Sequence, residues 1–182
     1  MESSDRGRAW LDSTDPYQQI RFGILTISDR ASSGERVDSS GPSLVDLVES
    51  NGWRVVRTQI VPDDLLNLHD TLVHWAETGE MDVILTTGGT GFGVRDHAPE
   101  ATRSVIERPA PGLAEAMRAA SLKITPHAML SRATSGIRGQ TLIINLPGNP
   151  KAAVENISVV LPVLPHAVQL LRDDPAAESG HR

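Results

Sequence analysis

The sequence predicts an α/β fold, a mostly parallel sheet covered by helices on both faces. Three observations carry that expectation. Mostly apolar, β-branched runs such as Phe22–Ile27, Met81–Thr87 and Thr141–Leu146 alternate with amphipathic helical stretches. The composition is 39% apolar but only 3% aromatic, which suits a core of Val, Ile, Leu and Ala. The polar, glycine-rich stretches fall just after the strands, at the sheet edge where α/β proteins hold ligands.

Taken in order, residues 1–19 read as a flexible polar tail, 20–172 as one folded domain and 173–182 as a second tail. Phe22–Ile27 is a buried strand. Ser40-Gly41-Pro42 opens a helix, with Ser40 as cap, Pro42 in the first turn and Leu44, Leu47 and Val48 on its apolar face. Asn51-Gly52 ends it, and Trp53–Val61 is the second strand. Pro62-Asp63 opens a helix with Leu65, Leu68, Leu72 and Trp75 at helical spacing. After the third strand, Met81–Thr87, come helices at 99–107 and 112–124, the latter with Leu113, Met117, Ala120 and Ile124 on one face. A short strand within 131–137 precedes the strand 141–146. The closing helix carries Val154, Ile157, Leu161, Leu164, Val168 and Leu171 in register, and Pro162 and Pro165 should interrupt it.

Bulk properties exclude several functions. The chain has no cysteine, so disulfides and thiolate chemistry are ruled out. A net charge of −6 without basic runs argues against nucleic-acid binding. No apolar stretch is expected to span a bilayer, and Met1–Pro16 has no signal-peptide core, so a cytoplasmic protein without membrane association is expected. The six histidines show no metal-ligand spacing, which disfavours a zinc enzyme.

Four polar stretches should converge on one rim: Ser28-Asp29-Arg30, Pro62-Asp63-Asp64, Thr87 to Asp96, and Pro147-Gly148-Asn149-Pro150. The run Thr87-Gly88-Gly89-Thr90-Gly91 matches neither the dinucleotide nor the P-loop pattern, yet a strand, a glycine loop and a helix start together suit an anion. Asp63 and Asp96 are the candidate catalytic and metal-binding carboxylates, since two carboxylates near phosphates commonly hold Mg²⁺. Each also has a plainer role open to it: Asp63 as a helix N-cap, Asp96 as the acceptor of a turn bond. Asp38 reads equally as a cleft or a solvated loop carboxylate, and Asp64 as a first-turn residue. Ser131 can hold a phosphate and Arg132 can clamp one in a fork.

Together these motifs resemble the molybdopterin adenylyltransferases, a family that includes bacterial stand-alone enzymes, the plant Cnx G domain and the gephyrin G domain. The resemblance rests on Thr86–Phe92, Arg95-Asp96, Pro99–Thr102, Leu130–Arg132, Gly136–Gly139 and Leu142–Pro150, with Ser28-Asp29, Asp38–Gly41 and Val61–Asp63 in the same order, and covers residues 20–172. It implies a three-layer α/β sandwich, commonly trimeric. It implies binding of molybdopterin and MgATP, and transfer of AMP to the molybdopterin phosphate with release of pyrophosphate. The product would pass to a molybdate-insertion protein. By motif, Asp63 and Asp96 become the catalytic acids acting through Mg²⁺, Ser131 a substrate-binding serine, and Gly88–Gly91 the pocket lining. The chain departs from the family at His97-Ala98, where Val-Thr is usual, and at Val94, where proline or a small residue is common. A non-catalytic molybdopterin carrier or scaffold is the alternative.

Overall fold

The computed structural model describes residues 19–174, so the two expected tails, apart from Gln19, Asp173 and Asp174, lie outside the described residues. Six strands form one sheet: β1 (Arg21–Ile27), β2 (Arg54–Val61), β3 (Val83–Thr87), β4 (Arg108–Pro109), β5 (Ser135–Arg138) and β6 (Thr141–Leu146). Their order is β2-β1-β3-β6-β5-β4. The first four positions in that order are parallel; β5 runs antiparallel to β6, and β4 to β5. Among the described residues seven α-helices pack around the sheet: α1 (Asp29–Ser32), α2 (Ser40–Ser50), α3 (Leu65–Glu77), α4 (Ala98–Val105), α5 (Pro111–Leu122), α6 (Pro150–Val160) and α7 (Leu164–Leu171).

The central strands β1, β3 and β6 are buried along nearly their whole length because both of their faces are covered, whereas the edge strands β2 and β4 are largely exposed. Alternation sends Phe22, Ile24, Val83, Leu85, Leu142 and Ile144 to one side, where they meet Leu44 and Val48 of α2, Met117 of α5, Ile157 of α6 and Val168 of α7. Leu25, Ile27, Ile84 and Ile143 face the other side, against Leu68, Leu72 and Trp75 of α3 and Ala101 and Val105 of α4. The expected three layers are present.

The structure corrects several boundaries. The strand expected within 131–137 begins at Ser135, because Pro126–Leu130 turns as a 3₁₀ helix first. The two-residue β4 gave no periodic signal, and Pro109 is tolerated there on the sheet edge. Ser40 is not the cap of α2: the Asp38 carboxylate takes the N–H groups of Ser40 and Gly41 (3.0 and 3.2 Å). Helix α3 starts at Leu65, and its cap is Asp64, which accepts from the Asn67 N–H at 2.9 Å. Ile124 lies beyond the end of α5 and is 68% exposed rather than packed.

The closing helix is interrupted as expected, by a 3₁₀ turn at Leu161–Val163 between α6 and α7. Taken as one run, Pro150–Leu171 has 22 residues and contains an 18-residue window of mean hydropathy 1.4, which by length and composition matches a membrane span, contrary to the expectation. Its inner face, Ala153, Ile157, Val160, Leu164 and Val168, is instead buried in the sheet core.

At the amino ends of the strands, Asp82 is buried and accepts from two arginines. Arg21 donates through Nε (3.1 Å) and Nη2 (3.0 Å), and Arg172 through Nε (3.0 Å) and Nη2 (2.6 Å). This clamp ties β1, β3 and the end of α7 together.

Candidate functional site

The chain leaves β1 toward β2 on one side, while β3 lies on the other, so a crevice opens between the carboxyl ends of β1 and β3. This cleft of about 330 Å³ is lined by Thr26–Ser28, Asp38–Ser40, Thr87–Gly89, Gly148 and Asn149. Three helices begin around it. The Ser28 hydroxyl caps α1 through the Ala31 N–H (3.2 Å), Asp38 caps α2, and the Asn149 side chain caps α6 through the Ala152 N–H (3.0 Å). Asp38 is therefore not a solvated loop carboxylate. It caps a helix on the cleft wall and also accepts from Thr26 Oγ1 at 2.7 Å. Thr87 is buried, and its hydroxyl donates to the Pro147 carbonyl (2.8 Å), locking β3 to the loop after β6.

Gly88 and Gly89 have φ of 106° and 62°, the left-handed region that favours glycine. A Cβ on Gly88 would strike the Ile27 carbonyl, and one on Gly89 the Asp63 carboxylate. The loop is glycine because β1, Asp63 and the Gly148 turn approach it from different sides.

Asp63 is 6% exposed. Its Oδ1 accepts from the His97 N–H at 2.9 Å, while Oδ2 packs against Gly89. With Asp64 serving as the cap of α3, Asp63 is not consumed as one. Burial pushes its carboxyl up; the His97 N–H pulls it back, and the nearby charges of Asp96 and Asp29 add to the rise. Asp29 accepts from the Asp63 N–H (3.0 Å) and pairs with Arg95 at 2.6 and 2.9 Å, and the Arg95 hydrogen bond holds its carboxyl below the usual range. The Asp96 Oδ2 takes the Gly93 N–H at 2.7 Å, so the turn bond open to it from sequence does form. Cβ atoms at Gly91 and Gly93 would lie 2.9 and 2.8 Å from that oxygen. Two carboxylates from different loops are thus brought to one rim. Among the described residues no group of three or more His, Cys, Asp or Glu is placed to hold a metal. A two-carboxylate set still suits Mg²⁺, which takes one or two carboxylates and completes its shell with water and phosphate oxygens.

Ser131 lies elsewhere, in a cleft of about 290 Å³ between α5, the 3₁₀ turn and α6, whose lining includes Thr90, Gly91, Ile124, Leu130 and Pro147. The glycine loop separates this cleft from the first. Arg132 is not a free phosphate fork: its Nε donates to Gly91 O (2.6 Å), Nη2 to Asp96 O (2.6 Å) and Nη1 to Glu100 Oε1 (2.5 Å). It helps line a third cleft, of about 370 Å³, with Asp96, His97, Glu100, Phe92 and Val94.

Two structural residues carried no assignment from sequence. Arg118 holds the Ser131 segment through the carbonyls of Ser131 (3.1 Å) and Ala133 (2.9 Å). Asn145 is fully buried in β6; its Nδ2 donates to Thr86 Oγ1 (2.9 Å) and Thr102 Oγ1 (2.8 Å), and its Oδ1 accepts from the Thr134 N–H (3.3 Å). A lone amide inside the apolar run 142–146 was the available signal, since buried polar groups are nearly always bonded.

Comparison with known proteins agrees with this architecture. The family described as "Probable molybdopterin binding domain" matches residues 23–166. Gephyrin of Dictyostelium discoideum is 45% identical over 172 residues, 88% of this chain but 24% of the relative, so the chain spans about a quarter of that protein. The molybdopterin adenylyltransferase of Helicobacter pylori J99 is 40% identical over 156 residues, covering 85% of this chain and 89% of the relative. The crystal structure of the molybdopterin biosynthesis enzyme MoaB from Thermus thermophilus is similar with a TM-score of 0.81 at 46% identity, covering 86% of this chain and 99% of that one. On the family match, these relatives and the shared fold, this chain belongs to the molybdopterin-binding domain family.

Proposed function

We propose that this chain is a molybdopterin adenylyltransferase of molybdenum cofactor biosynthesis. It transfers AMP from MgATP to the terminal phosphate of molybdopterin and releases pyrophosphate. The observation that supports the proposal is that Asp63 takes the N–H of His97, next to Asp96, beside the glycine loop, so that two carboxylates lie close enough for the charge of one to act on the other. A molybdopterin phosphate oxygen attacks the α-phosphorus of ATP. The new P–O bond forms as the bond from the α-phosphorus to its bridging oxygen breaks, and that electron pair leaves with pyrophosphate. The nucleophile is already an anion, so no strong protein base is needed, and catalysis rests on positioning and charge stabilisation.

The β1/β3 cleft, lined by the glycine loop and Arg36, suits the nucleotide phosphates. The more apolar cleft beside Ser131 suits the pterin, with Ser131 within reach of its phosphate. Asp63 and Asp96 fit Mg²⁺: both are hard oxygen donors, and the raised carboxyl of Asp63 is that of a buried anion short of a cation. A bound Mg²⁺ would neutralise charge developing on the transferred group. The proposal extends to a cytoplasmic homotrimer that passes its product to a molybdate-insertion protein. Exposed Val159, Val163 and Leu170 give a surface suited to self-association, which light scattering would measure.

The deciding experiment is pyrophosphate release from MgATP with molybdopterin added or omitted. Release that depends on molybdopterin supports the transferase. Bound molybdopterin without release would make the chain a carrier.

A further inference from the structure

Arg132 joins parts of the site that the chain separates. Its backbone N–H donates to Thr90 O (2.9 Å), and its guanidinium reaches Gly91 O, Asp96 O and Glu100 Oε1. The two carbonyls stand at either end of the segment Gly91–Asp96, whose apex carries the Gly93 N–H bound to the Asp96 carboxylate. Glu100 belongs to α4. It also receives Arg103 at 3.4 Å on Oε1, while its Oε2 is buried with no hydrogen-bond partner. A carboxylate that leaves one buried oxygen unpaired to meet Arg132 is placed for the guanidinium rather than for its own satisfaction. The preceding residue, Ser131, lines the 290 Å³ cleft, and Asp96 lines the 370 Å³ cleft. The fork therefore bolts the wall of one cleft to the acid of the other.

We propose that Arg132 is the positioning residue for Asp96. Its planar fork fixes both ends of the Gly91–Asp96 turn, Glu100 fixes the fork, and the Asp96 carboxylate is thereby aimed. The inference rests on the adenylyl-transfer assignment above. Each of the three guanidinium nitrogens donates to a protein acceptor, which holds the fork against the loop, and the KM for ATP separates this positioning role from direct contact with a phosphate. Lysine keeps the charge but cannot span the same acceptors.

The test compares Arg132→Lys and Glu100→Gln with Asp96→Asn, with melting temperatures establishing that each variant folds. In wild-type protein that shows molybdopterin-dependent pyrophosphate release, Arg132→Lys should lower kcat about a hundredfold with the KM for ATP little changed. Glu100→Gln should fall in between. Mn²⁺ titrated in the presence of ATP and followed by electron paramagnetic resonance supplies a readout besides turnover, and Arg132→Lys should weaken it about tenfold. The double variant Arg132→Lys/Asp96→Asn should be no slower than Asp96→Asn alone. A Lys variant with wild-type kcat and Mn²⁺ binding overturns the proposal, as does a rise in KM alone, which would mark direct contact with substrate. Absence of turnover in the wild type would instead sink the transferase assignment, and the Mn²⁺ titration would still report whether the fork places Asp96.

Discussion

Asp63 and Asp82 are both buried aspartates, at opposite ends of the parallel strands of one sheet, and their surroundings drive their carboxyls in opposite directions. Burial pushes both up. At Asp82, hydrogen bonds from Arg21 and Arg172 outweigh it, and the carboxyl is held below the usual range. At Asp63 the backbone N–H and the charge of His97 oppose burial, the charges of Asp96 and Asp29 add to it, and the carboxyl rises. One end of the sheet uses a paired anion to hold β1, β3 and α7 together. The other leaves a buried aspartate with a raised carboxyl, which suits the Mg²⁺ proposed for it. Anions left short of a partner in a cleft are characteristic of functional sites, whereas a neutralised ion cluster is structural.

The largest expected effect breaks the comparison at its functional end. Asp63→Asn should lower turnover by about 10²–10³-fold, the usual cost of removing one electrostatic element from a transfer site. The same change should raise the melting temperature at neutral pH. The Asn Oδ1 can keep the His97 N–H bond, and a buried charge disappears. The sign follows from the raised carboxyl: the wild type is penalised while Asp63 is ionised, and the penalty fades as pH falls through its folded value. The gap in melting temperature between variant and wild type should therefore narrow on acidification. A variant less stable than wild type at pH 7 would show that Asp63 is paired after all.

Asp82→Asn should do the reverse, leaving turnover nearly intact while destabilising the fold. Arg21 is 40% exposed on its side chain and can rehydrate, so solvent screening reduces the cost of the lost pairs to about 2–3 kcal/mol. Because the Asp82 carboxyl is lowered in the folded state, its contribution is complete above the unfolded value near 3.9 and is lost as pH falls through the folded value. Denaturant unfolding at pH 7 and pH 3 checks the sign: the gap should be larger at the first than at the second.

The two aspartates also show what the sequence made legible. Asp63 stood out because it follows an apolar run and a proline, where a parallel sheet presents ligands. Asp82 precedes its strand and attracted no assignment, since its partners lie 61 and 90 residues away along the chain. Strands, helices and the break at Pro162–Pro165 could be read because periodicity is local. The antiparallel β4–β5 edge could not, because two residues carry no period. The division of labour between Asp63 and Asp64 was equally hidden: adjacent aspartates look alike until the backbone decides which one caps α3. Arg132 shows the same limit, its type suggesting a phosphate fork while the fold surrounds it with carbonyls. What the sequence resolved was the rim; which side chains are free on it depends on contacts between loops.

A smaller effect sharpens the functional end. Gly89→Ala places a methyl group against the Asp63 carboxylate at a φ of 62°. The strain should cost about 1–3 kcal/mol, and the displaced carboxylate should lower turnover further than that loss of stability explains. If activity falls only in proportion to the folded fraction, Asp63 does not act from its present position.

The smallest effect concerns Arg95 and Asp29, an ion pair with the close geometry of the Asp82 clamp but on the surface. Its side chains are 63% and 41% exposed, so water competes with each charge and salt screens both. Arg95→Gln should leave the melting temperature essentially unchanged, in contrast to Asp82→Asn. Its consequence lies in the site. Arg95 neutralises Asp29 and donates to the Asp63 carbonyl at 3.2 Å, so its loss leaves Asp29 uncompensated and adds negative charge around Asp63. The carboxyl of Asp63 should rise further, and the acid side of the pH–rate profile should move to higher pH. That movement should be clearest at low ionic strength and shrink in high salt. A displaced profile with an unchanged melting temperature would show that this exposed pair tunes the charge of the buried aspartate without holding the fold.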